Sequence, residues 1–129
     1  MPSVRNLFGR RGGGGGSGPD FSRVDSREMA EQLVSRGELA GLHLVPPEFG
    51  GTDDPRNVVY VPPFAVELKR RTDANVIAPL VREGRVRSYT ATPQYEGASF
   101  VPASIEIRAF DPGEFTTSLQ IWGPALADD

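Results

Sequence analysis

Apolar residues along this chain recur first at helical spacing, then in short compact runs, then at helical spacing again and finally in strict alternation. Met29, Leu33 and Val34 make the first helical stripe. Asp25 followed by Glu28 resembles a capping box with aspartate in the Ser/Thr role, and Gly37 stands where a C-cap belongs. A short helix is therefore predicted over residues 26–36. Leu39 to Val45 is an apolar run suited to a strand and stopped by Pro46-Pro47. "NVVYV" is a second, β-branched and aromatic strand, again stopped by a double proline. Between them "PEFGGTDDPR" reads as a loop.

From Phe64 to Glu83 the helical period returns, with Leu68, Val76, Ile77, Leu80 and Val81 as apolar points and Gly84 as terminator. Pro79 removes a backbone donor, so this segment is expected to kink or divide. Thr72 or Asp73 is the expected cap of its second piece. The last third carries three strand-like runs, "RVRSYTATP", "ASIEIRAF" and "FTTSLQIW", separated by turn chemistry at Pro93–Gly97 and at Asp111-Pro112-Gly113. Ser104, Glu106 and Arg108 alternate with Ile105, Ile107 and Ala109, which gives one wet and one packed face. A meander of antiparallel strands against the helical segment makes an α+β domain.

Composition narrows this picture. The 129 residues fit one domain. Many of the 15 glycines lie in "GRRGGGGGSGP", so residues 1–20 read as a flexible, disordered arm, and the folded domain is expected over 21–129. Arg5, Arg10 and Arg11 make the arm locally basic, but a net charge of −3 gives no general pull towards nucleic acid. There are no cysteines, which removes disulfides and thiolate metal sites. No stretch approaches the roughly 18 consecutive apolar residues of a membrane span, so no membrane partner is expected. "MPSVRNLFGRR" lacks the apolar core of a secretory signal, making the cytoplasm the default expectation and signal-independent export the other route.

His43 is the only histidine. Phe49, Gly50 and Gly51 follow it, and then Asn57. "HLVPPEFGGTDDPRNVV" resembles the His-x5-Phe-Gly-Gly-x5-Asn-Leu-Val loop of the DNA/RNA non-specific endonuclease family, in the form found in bacterial toxin-type domains. "VRSYTATPQYEG" followed by "VPASIEIRA" is similar to that family's later Tyr-x-Val-Thr-Pro-x-Tyr-x-Gly strand and the proline-led strand after it. The similarity spans about residues 38–122 and keeps order and spacing.

The resemblance implies a ββα-metal (His-Me finger)-like core and metal-dependent hydrolysis of phosphodiesters. In such a site an imidazole takes a proton from water, and a divalent ion such as Mg2+, held by the next helix, stabilises developing charge. His43 takes the general-base position, Gly50 and Gly51 the loop, and Asn57 the residue that braces it. The chain departs from the family elsewhere. Asp-Arg-Gly-His becomes Ala40-Gly41-Leu42-His43, which removes the charged neighbours of the base. At the head of the helix Glu67 stands where the family has its metal-binding asparagine, with Asp73 and Asn75 as nearby candidate ligands. Lys69, Arg70 and Arg71 are the candidate contacts to nucleic acid; read without the resemblance, "ELKRRTD" is a solvated helix face.

Two expectations follow. One is an active metal-dependent nuclease. The other is a catalytically degenerate relative that keeps the scaffold and serves as a binding or interaction module, because losing one preorganised electrostatic group commonly costs on the order of 100- to 1000-fold in rate. A toxin-like domain also implies a neutralising partner protein.

Overall fold

In the computed structural model, residues 20–123 are described. The predicted arm, residues 1–20, lies outside them except for Asp20. The element order is α1 (Arg27–Ser35), β1 (Ala40–His43), β2 (Val58–Val61), α2 (Pro63–Thr72), α3 (Ala78–Arg82), β3 (Val86–Gln94), β4 (Ser104–Pro112) and β5 (Glu114–Gln120). The domain is α+β, with two antiparallel sheets. β1 and β2 form a hairpin in which His43 pairs with Val58, and β3-β4-β5 form the meander.

β4 is the middle of the meander and of the core. Its alternation survives intact: Ile105, Ile107 and Ala109 are fully buried, while Glu106 and Arg108 face water. Leu119 of β5, opposite Ile105, extends that apolar face, and Val86 of β3 is buried in the same core. Val61, Ala65 and Ile77 pack in the same core, so hairpin, helix and meander are closed around one apolar interior.

The first helix differs from expectation at its start and on its face. Ser26, not Asp25, is the N-cap: its Oγ accepts from the Met29 amide at 3.2 Å. A serine at this place satisfies one of the amides that the first turn leaves without a helical partner. Ala30 is fully buried, Leu33 packs on the core from its edge, and Met29 and Val34 of the predicted stripe are exposed. The packed stripe thus runs through Ala30 and Leu33, three residues apart, and Met29 and Val34 fall to either side of it. Gly37 ends the segment at φ +78, the left-handed conformation expected of a C-cap.

The predicted strand over Leu39–Val45 is shorter than its apolar run. It ends at His43 because Val45 pairs with the side chain of Asn57 rather than with a strand.

α2 does not break at Pro79. Between α2 and α3, residues Asp73–Ile77 form one wide π turn, in which the Ala78 amide donates to the Asp73 carbonyl five residues back. Thr72 and Asp73 both have helical backbone angles, so neither caps a second helix. The widened turn accommodates the proline, whose missing N–H would otherwise interrupt a regular ladder. It also keeps Ala65, Lys69, Asp73 and Ile77 on one buried flank at steps of four.

Candidate functional site

The hairpin loop is built by glycine and locked by asparagine. Pro47–Phe49 forms a single 3-10 turn that ends at Gly50, whose φ of +95 only glycine adopts without strain. Gly51 is held for a different reason: a Cβ there would overlap the Val45 carbonyl. Asn57 lies across the base of the loop. Its Oδ1 accepts from the Val45 amide at 2.9 Å, and its Nδ2 donates to the carbonyls of Val45 at 3.0 Å and Thr52 at 2.8 Å. Asp54 and Arg56 lock the far side through two side-chain bonds of 3.0 Å. The Arg56 guanidinium and amide hold the Asp54 carboxyl at about 2.

His43 stands at the end of β1 with about a third of its side chain exposed, and its Nε2 is 2.7 Å from Oδ1 of Asp53. Asp53 is on the loop and almost fully exposed. A carboxylate on Nε2 sets the neutral ring with its proton on that nitrogen, leaving the Nδ1 lone pair to act. The sequence reading missed Asp53. Nothing in "GGTDDPR" distinguishes it from Asp54, which turns back onto Arg56 instead.

His43 and α2 share a groove of about 180 Å3, lined among others by Glu48, Val66, Lys69, Arg70 and Asp73. The hairpin thus presents its histidine on the same groove as the helix that follows it.

The helix side of this groove is not what the sequence led us to expect. Glu67 accepts from Arg70 at 3.1 and 2.5 Å and from Arg71 at 3.2 Å, and these guanidiniums hold its carboxyl at about 2. It is a carboxylate with its charge already answered. Lys69 is 1% exposed, which corrects its assignment as a nucleic-acid contact. Its Nζ donates to Asp73 Oδ2 at 2.6 Å and to the Tyr89 hydroxyl at 2.9 Å. The same hydroxyl donates to Asp73 Oδ1 at 2.8 Å, closing a buried triangle.

Burial pushes the Lys69 ammonium down from its ordinary value, against the pull of Asp73, and pushes the Tyr89 phenol well up. Phe49 tilts against Tyr89 with ring centroids 5.2 Å apart, so the loop rests on this triangle. Asn75 is exposed and lies outside the groove lining. Arg70 and Arg71 are exposed but bound to Glu67.

A divalent ion needs oxygen donors with charge to give. Among the described residues no cluster of three or more His, Asp or Glu side chains could hold one. The two carboxylates predicted as ligands are both paired with cations. Glu67, Asp73 and Asn75 therefore do not fit a bound metal in this conformation. No family model, curated protein or solved structure matches the chain.

Proposed function

We propose that this chain is a ββα-metal-type scaffold, akin to the DNA/RNA non-specific endonucleases, whose ion site is closed and whose hairpin-helix groove serves as a binding or interaction module. The observation that carries this reading is the Lys69–Asp73–Tyr89 triangle. A fixed ammonium on α2 satisfies the Asp73 carboxylate in the groove lining and leaves it no charge for a second cation. The kinship itself is supported by the order of parts: a strand ending in His43, a glycine loop braced by Asn57, a second strand and then a helix on the same groove. The net charge of −3 and the mixture of Glu48 and Asp73 with Arg70 in the groove favour a protein partner over a nucleic-acid backbone. A neutralising partner protein remains in keeping with a toxin-like ancestry.

The second reading is phosphodiester hydrolysis with His43 as general base. The Asp53–His43 pair favours it, because an oriented imidazole with one free nitrogen is equipped to take a proton from water. Incubation of the protein with plasmid and with RNA, in Mg2+ or Mn2+ and in chelator, separates the two. The module reading expects no cleavage by the wild type or by His43→Ala. Cleavage by the wild type that disappears in His43→Ala would establish the enzyme instead.

A further inference from the structure

The sheet order β3-β4-β5 leaves β5 with one open side. Its described backbone bonds all run to β4, and no other backbone group among the described residues reaches it. Folded proteins commonly guard such edges with charge, proline or a bulge. The opposite edge follows that rule, since β3 carries Arg87 and Pro93. β5, "EFTTSLQ", does not. Its one charge, Glu114, is spent on Arg108 at 3.0 Å.

We propose that the open side of β5 is where a second copy of this chain docks, the two strands running antiparallel about a twofold axis at Thr117 to join both meanders into one sheet. The strand is self-complementary about that residue. Phe115 falls opposite Leu119 of the second copy, Thr116 opposite its Ser118, and Glu114 opposite its Gln120. Apolar thus meets apolar on the inner face, where Leu119 is buried and Phe115 partly so, while hydroxyl meets hydroxyl on the outer face. Cross-strand pairs of these kinds stabilise antiparallel sheets, and no like charges are brought together. An unrelated peptide would gain nothing from this symmetry.

The neighbouring helix fits the same occupant. α2 touches β1 and β5. Val66 and Arg70 line the groove beside β1, so the helical winding puts Leu68 and Phe64 on the other flank. Both are exposed, at 39% and 45%. A second copy seated on β5 gives this apolar flank something to cover it.

The test is sedimentation of the full chain across a concentration series, with two double variants at outward positions. T116K/S118K sets like charges opposite each other across the axis and is expected to weaken the dimer on the order of tenfold. T116E/S118K sets opposite charges across it. Within each copy it also matches Arg108 beside residue 116 and Glu106 beside residue 118, so it is expected to restore association in a salt-sensitive form. Circular dichroism confirms that both variants fold.

A wild type that stays monomeric at high micromolar concentration overturns the proposal. So does a dimer indifferent to both variants. Slow amide exchange along the outer side of β5 in a monomer would mean that the chain's own residues cover this edge, and would also overturn it.

Discussion

Lys69 and Asp73 form an ion pair of 2.6 Å with both side chains withdrawn from water. One helical turn separates them, and Tyr89 reaches over from β3 to bond with both. The pair therefore ties α2 to the meander on the groove that His43 also lines.

Breaking this pair on one side should be costly. Asp73→Ala leaves an ammonium buried without a counter-charge, and a loss of about 3–5 kcal/mol in unfolding free energy is expected from urea denaturation. Lys69→Met together with Asp73→Leu should recover most of that loss, since well-packed apolar groups replace a buried ion pair at little cost. Equal stability of Asp73→Ala and the wild type would mean that the ammonium is not held as described.

Tyr89 makes alkaline stability a measurable consequence. Its phenol is pushed up by burial and by the adjacent Asp73 carboxylate, so the folded state keeps the proton that an unfolded tyrosine releases near its ordinary value of 10.0. Its contribution is fully present below that pH and is lost as pH rises above it. Ultraviolet titration should show the Tyr89 phenolate only when the protein unfolds, and Tyr89→Phe should flatten the alkaline fall in melting temperature.

The acid limb has the opposite sign. Arg70 and Arg71 hold Glu67 at about 2, against an ordinary value of 4.5. The stabilisation is present above about 4.5 and fades as pH falls towards 2. The groups are exposed, so added salt should shrink the effect, and Glu67→Gln should reduce the pH slope. A Glu67 carboxyl that titrates by NMR near its ordinary value would contradict this.

Asn57→Ala removes three hydrogen bonds from the loop base, and about 2–3 kcal/mol of stability should go with them. Faster amide exchange at Val45 should mark the opening. Gly51→Ala should have a larger effect on the same amide, because its methyl group collides with the Val45 carbonyl.

Much of the fold was legible because it rests on period and punctuation. The alternation through Ser104–Ala109 named the buried face of β4, and the glycines at 37 and 84 marked helix ends where φ is indeed positive. The capping box misled by one residue, since Asp25, Ser26 and Glu28 all lie close enough to cap, and only the backbone at Ser26 decides.

"ELKRRTD" hid the buried triangle in a run of charge. A signal was available: Ala65, Lys69, Asp73 and Ile77 recur at steps of four, a spacing that places a lysine and an aspartate between two core residues. The Tyr89 hydroxyl and the Asp53–His43 pair left no such trace, because both depend on how distant segments meet.

The wide turn at Asp73–Ile77 holds one more residue than an α turn would. Deleting a single residue there would let the coil wind at its ordinary pitch while the register beyond it stays nearly the same. Ile77 would keep its place in the interior, so shortening by one residue inside this turn should harm the protein less than the same deletion within α2.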